Sequence, residues 1–212
     1  MRVEVWSDVV CPWCYIGKRR LERALGSFEH AGEVEVVWRS FQLDPAFPKG
    51  VHRPTYEALM EKTGGSAAQV RAMTEQVKAV AAEEGLVYDF ESSSMVNTFD
   101  AHRLAHLAEA HGLGAAMHER LMRAQLVEGA TLADPETLVR LGEEVGVPAG
   151  EARRMLAGDE YATEVEEDIS QARELGVSGV PFFVLDRAYG LSGAQPLETF
   201  LSALRQAQNA SA

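Results

Sequence analysis

Cys11 and Cys14 are the only cysteines in the chain, and only Pro12 and Trp13 separate them. The alternating segment Val3-Glu4-Val5-Trp6 ahead of them reads as a strand. Behind them Leu21, Leu25 and Phe28 recur at helical spacing. The pair therefore lies where a strand hands over to a helix. Free amide N–H groups at a helix start carry partial positive charge and stabilise an anion. This setting predicts a thiolate at Cys11 with a pKa below the free value of about 8.5. Cys11 is then the exposed nucleophile, Cys14 the resolving thiol one turn in, and exchange runs through a mixed disulfide on Cys11. Pro12 suits the first helical position, where its missing donor costs nothing.

The competing chemistry for a Cys-x-x-Cys pair is half of a zinc site. No second cysteine pair exists, and only His102 and His106, one helical turn apart, offer to complete the ligand set. The strand–CxxC–helix order favours redox chemistry, so no metal is expected. His106 reads as part of a half-exposed helix face. Two cysteines also exclude a structural disulfide scaffold.

The elements that must position this pair follow from the apolar pattern. Residues 33–41 (EVEVVWRSF) read as a second strand, and Asp44 to Gly50 as a loop. From about residue 54 to 175 the spacing is helical almost throughout. Its stripes are Val70, Met73, Val77 and Val80; Leu104, Leu107 and Ala108; Leu138, Leu141 and Val145; and Tyr161, Val165, Ile169 and Ala172. Asp134-Pro135 reads as an N-cap followed by Pro at the first helical position. Gly85, Gly112, Gly146 and Gly176 are each followed by an apolar residue, a pattern that suits left-handed helix ends. Val180 to Leu185 reads as a buried strand opened by Pro181. Tyr189 to Ser192 reads as its partner. Pro196 opens a final helix with Leu197, Phe200, Leu201 and Leu204 inward, and Gln206 to Ala212 is expected to fray. The order describes an α/β sheet domain (1–50 and 176–212) interrupted by an all-helical insertion (51–175).

With 212 residues, 46% of them hydrophobic, the chain is long enough to bury a core. Its net charge of −12 disfavours nucleic acid and anionic membrane as partners. No apolar run approaches the roughly 18 residues that span a bilayer, and residues 1–7 read as a strand rather than a leader. A cytoplasmic protein is expected.

The run Asp8-Val9-Val10-Cys11-Pro12-Trp13-Cys14-Tyr15-Ile16-Gly17, paired with Gly176-Val177-Ser178-Gly179-Val180-Pro181 near the other end, resembles the DsbA-like thioredoxin-fold family. It looks most like the FrnE-like branch, related to 2-hydroxychromene-2-carboxylate isomerases and kappa-class glutathione transferases. The resemblance spans nearly the whole chain. It takes in Phe41-Gln42-Leu43 with Pro45, the stretch Asn97-Thr98 to His102-Arg103-Leu104, and Ser192 to Pro196.

The resemblance implies a thioredoxin fold with a helical insertion. Cys11 matches the attacking cysteine, Cys14 its partner, and Pro181 the cis-proline that faces them. The backbone of Val180 would then pair with an extended substrate as a short added strand. Ser stands at the position of Cys11 in the isomerase and transferase branches, so two retained cysteines favour thiol–disulfide exchange. A glutathione-dependent isomerase, or a polyketide-biosynthesis enzyme acting on a small aromatic molecule, is the alternative. Trp13 replaces the His of strong oxidants and implies a less oxidising couple. The buried acid that many relatives carry six residues before the first cysteine falls on Val5. Asp8 and Glu4, both read as solvated, are the substitutes on offer.

Trp13, Tyr15 and Phe182 are candidates to line a substrate groove, although core packing in a buried strand is the favoured reading for Phe182 and Phe183. Asn97, His102 and Arg103 are expected to approach the cysteines from the helical block. No resident cofactor is expected, with glutathione a candidate thiol co-substrate. The expected partners are a disulfide-containing protein or small molecule and a thiol reductant. Monomer and homodimer both remain open.

Overall fold

The computed structural model describes residues 1–211. In chain order the elements are β1 (Arg2–Ser7), α1 (Pro12–Gly26), β2 (Glu35–Ser40), β3 (His52–Pro54), α2 (Thr55–Thr63), α3 (Ala67–Glu83), β4 (Ser94–Val96) and α4 (Phe99–Ala110). They continue with α5 (Gly114–Leu126), α6 (Pro135–Val145), α7 (Ala149–Ala157), α8 (Ala162–Glu174), β5 (Phe182–Leu185), β6 (Tyr189–Ser192) and α9 (Leu197–Ser211).

Four strands join in the order β2-β1-β5-β6. β1 runs parallel to β2 and antiparallel to β5, with Val5 opposite Trp38 on one side and Phe183 on the other. A parallel neighbour demands a crossover, and α1 supplies it. The two ends of the chain therefore meet on β1. Strand alternation then sorts the side chains. Val3, Val5, Phe183 and Leu185 pack against Leu21 and Ala24 of α1 and Phe200 and Leu204 of α9. Trp6 and Val184 face the other way, onto Ala172 of α8 and Val177. A separate core around Leu104, Met117, Leu121, Leu138, Leu141 and Met155 holds α4 to α7 together.

The four Gly-apolar helix ends form as their residue types require. Gly85, Gly112, Gly146 and Gly176 all take positive φ. The next amide in each case bonds the carbonyl five residues back, as in Leu86 to Ala81 and Val177 to Ala172. Asp134 caps α6 by accepting from the Thr137 amide at 2.9 Å.

Several expectations are corrected. The middle block is not helical throughout, because β3 and β4 pair as a small antiparallel sheet. Met73 is exposed: the inward stripe of α3 runs through Val70, Thr74, Val77 and Ala81, and Met73 lies one position off it. Tyr161 precedes α8 in a left-handed conformation rather than opening its inward stripe. The tail does not fray from Gln206. Buried Ala207 keeps α9 on the sheet, and the helix runs to Ser211; Ala212 lies outside the described residues. Among the described residues no helix is long and apolar enough to cross a membrane.

Candidate active site

Cys11 is the N-cap of α1, with extended backbone (φ −85°, ψ 113°). Its amide donates to the Asp8 carbonyl at 3.0 Å, and its carbonyl accepts from the Cys14 amide at 3.1 Å. Pro12 occupies the first helical position, where its ring presets the backbone of the turn that carries both sulfurs. The Val180–Pro181 peptide bond is cis. The Cys11 thiol donates to the Val180 carbonyl across 3.6 Å. Pro181 is buried, and its carbonyl accepts from the Gly193 amide at 2.8 Å.

Gly17 sets the distance between helix and loop. A Cβ there would lie 3.0 Å from Pro181 Cγ and 3.1 Å from Phe183 Cζ, too close for either to stay in place. The glycine in the second turn of α1 therefore lets the cysteine-bearing turn sit against the proline loop.

Both cysteines are free and buried. Cys11 is 4% exposed, so its sulfur sits in a recess rather than on the open surface the sequence suggested. Cys14 is 1% exposed. Burial, and next the neighbouring Cys11, push the Cys14 thiol well above its ordinary range. Two groups oppose this: the Ser7 side chain and the backbone of Asp8. Ser7 is fully buried at the end of β1, and its hydroxyl has no nitrogen or oxygen partner. Its parity with Val5 turns it toward α1. Burial thus holds Cys14 in its thiol form.

The remaining predicted residues fall into separate places. Trp13 is 40% exposed beside the thiols and is the one large apolar side chain of the Cys11–Cys14 turn open to solvent. Val180 packs against the cysteine cluster. Phe182 does not: it lies on the opposite face of the sheet with Trp6, Phe41 and Val177, because adjacent strand residues point to opposite faces. Tyr15 is buried, and its hydroxyl donates to Glu119 at 2.5 Å. It does not line a groove.

Asn97 ties down the loop after β2, donating to the Phe47 carbonyl at 2.6 Å and accepting from Gln42 at 3.2 Å. It lines a cavity of about 1060 Å³ with Phe41, Lys49, Arg103 and Val177 but with neither cysteine. Arg103 donates to the carbonyls of Met155, Gly158 and Glu160, closing the end of α7. His102 is fully buried, 3.3 Å from Asp8.

Asp8 and Glu4 are buried, not solvated. Asp8 accepts from the Leu43 amide at 2.8 Å as well as meeting His102. Burial pushes the Glu4 carboxyl up, but Arg187 and Arg39 more than offset it and hold the group below its ordinary value. His106 is half-buried on α4, as its sequence suggested, but its ring is held. It meets Asp168 and Ser40, each at 3.1 Å. Both histidines are thus engaged by carboxylates, one from the loop after β1 and one from α8. Among the described residues no three His, Cys, Asp or Glu side chains converge as a metal site.

Sequence reasoning missed Tyr88. It is buried in the cluster that contains both cysteines, and its hydroxyl donates to the Pro12 carbonyl at 2.7 Å. Its partner is 76 positions away, and no local pattern marks it.

Comparison with known proteins agrees with this geometry. A probable DsbA oxidoreductase from Streptomyces coelicolor is 47% identical, with a TM-score of 0.95 over 99% of this chain and 90% of that one. Two more distant structures share the fold. One is a 2-hydroxychromene-2-carboxylate isomerase, 19% identical with a TM-score of 0.72 over 100% of this chain and 98% of that one. The other is the cytosolic disulfide reductase DsbM from Pseudomonas aeruginosa, solved with GSH, 23% identical with a TM-score of 0.64 over 99% of this chain and 100% of that one. Residues 2–205 match the DSBA-like thioredoxin domain, and the chain belongs to that family.

Proposed function

We propose that the protein is a thiol–disulfide oxidoreductase that works through Cys11 and Cys14 against the Pro181 loop. The observation that carries this reading is the 3.6 Å approach of the Cys11 sulfur to the Val180 carbonyl. It puts the sulfur beside a backbone edge to which an extended substrate can add.

The cycle balances as follows. The Cys11 thiolate attacks one sulfur of a substrate disulfide. The S–S bond breaks, and the departing sulfur leaves as a thiolate that takes up a proton. Cys14 loses its proton and attacks the Cys11 sulfur. The second substrate thiol departs, and a Cys11–Cys14 disulfide remains. Two electrons have passed to the substrate, and two equivalents of a thiol such as glutathione restore the dithiol. The same steps in reverse oxidise a dithiol substrate.

The GSH-bound fold relative makes glutathione the first reductant to try. The absence of a His at the Trp13 position favours the reducing direction in the cytoplasm. Trp13 and the Val180 backbone are the substrate contacts, and the substrate is a disulfide-bearing polypeptide or small molecule.

Insulin reduction by dithiothreitol tests the reading. The wild-type protein should accelerate precipitation of the insulin B chain, and Cys11→Ser should fall to the uncatalysed rate. Activity surviving that substitution removes Cys11 as the nucleophile.

A further inference from the structure

The aromatic cluster around the cysteines holds one hydroxyl aimed at the redox turn. Tyr88 lies between α3 and β4, outside the elements that build the sheet. Its ring is stacked near Tyr15 at 6.3 Å and edge-on to Phe90 at 5.6 Å. So confined, its O–H reaches the Pro12 carbonyl at 2.7 Å. That carbonyl belongs to the same peptide group as the Trp13 N–H. Trp13 is the second residue of α1, and the amides of the second and third helical residues are the ones an N-cap side chain meets. The N-cap here is Cys11; its thiol makes no cap bond while it donates to Val180, which leaves those amides for the thiolate. A donor on a peptide carbonyl polarises that peptide and strengthens its N–H, by roughly 10–30% per bond.

We infer that Tyr88 is a positioning residue for Cys11: through Pro12 it fixes the first turn of α1 and strengthens the dipole facing the sulfur. The segment after α3 thereby helps to set the equilibrium between dithiol and disulfide. This rests on the reading of Cys11 and Cys14 as a redox couple. Burial, and next the proximity of Cys11, push the Tyr88 hydroxyl well above its ordinary range, so it stays a donor throughout the working pH range.

The test uses the full chain equilibrated in glutathione buffers, where the Cys11–Cys14 disulfide plus two GSH gives the dithiol plus GSSG. Tyr88→Phe keeps the ring and removes only the O–H. It should shift this equilibrium about three- to tenfold toward the disulfide, the size expected for the net effect of one neutral hydrogen bond. It should also slow alkylation of Cys11 at fixed pH. Tyr15→Phe is the control, because its hydroxyl serves Glu119 instead; it should leave both readouts unchanged. Placing 3-fluorotyrosine at position 88, a stronger donor, should move the equilibrium the opposite way and gives a second reading if Tyr88→Phe folds poorly. An unchanged equilibrium in Tyr88→Phe, or an equal shift in Tyr15→Phe, overturns the inference while leaving the couple intact. No measurable couple in the wild-type protein overturns the underlying reading, and the inference with it.

Discussion

Gly17 shows how one missing side chain shapes the site. It sits in the Cys-Pro-Trp-Cys-Tyr-Ile-Gly run, and the structure gives the reason for its type: Pro181 and Phe183 fill the space a Cβ would take. Gly17→Ala should cost about 1–3 kcal/mol, because either the loop or the helix must move. Chemical denaturation checks this, and insulin turnover should fall with it; a variant of wild-type stability and turnover contradicts the contact. At this scale the sequence was legible where the cause is local. The Cys11–Cys14 spacing, Pro12 at the first helical position and the Gly-apolar helix ends each act through immediate neighbours. The burial of Asp8 and Glu4 leaves no local mark, because what buries them is distant in the chain. Asp8 meets His102, 94 positions on, and Glu4 meets Arg39 and Arg187. No local pattern separates such a carboxylate from a solvated one.

At the scale of elements, α8 is clamped to the sheet by one carboxylate. Asp168 accepts from the Ser40 amide at 2.9 Å and from Arg39 at 3.0 Å, and lies 3.1 Å from His106. Its own carbonyl accepts from the Trp6 indole at 2.8 Å. Asp168→Ala strands a buried amide and leaves Arg39 with Glu4 as its one carboxylate partner, and should destabilise the fold by about 3 kcal/mol. A denaturant midpoint unchanged in that variant contradicts the clamp. The apolar stripe of α8 was visible as Val165 and Ala172. The acid between them was not, since a helix period identifies a face but not a polar residue buried within it. The same limit explains Met73 on α3, where Thr74 takes the inward position. The short β3 and β4 pair was hidden for another reason: three-residue strands are too brief to show alternation.

For the molecule as a whole, the order of elements already implied a sheet domain closed by both chain ends, and the register of β1 between β2 and β5 accounts for it. How the middle block packs on that sheet was not legible, and it carries a pH dependence. His118 of α5 stacks on Trp38 of β2 at 4.9 Å. Burial, then the nearby His102, His106 and Lys18, push its imidazole well below the ordinary value. The folded protein therefore binds fewer protons there than the unfolded chain. Stability from this site is complete above the unfolded value of about 6.5 and drains away as pH falls below it toward the folded value. Glu4 adds its own loss at lower pH, as the solution falls below the usual carboxylate range. His118→Phe keeps an aromatic ring against Trp38 but removes the titrating nitrogens, and should flatten the drop in unfolding free energy between about pH 7.5 and about pH 5.5. An equal drop in the variant and the wild-type protein shows that another group titrates.

The whole account depends on which sulfur meets the substrate first, and trapping reads this directly. Cys14→Ser, incubated with glutathione disulfide and analysed by intact mass and peptide mapping, should carry a single glutathione on Cys11, whereas the wild-type protein should discard the adduct and close its own disulfide. An adduct that fails to form on Cys11, or a wild-type protein in which the two thiols never join, contradicts the account.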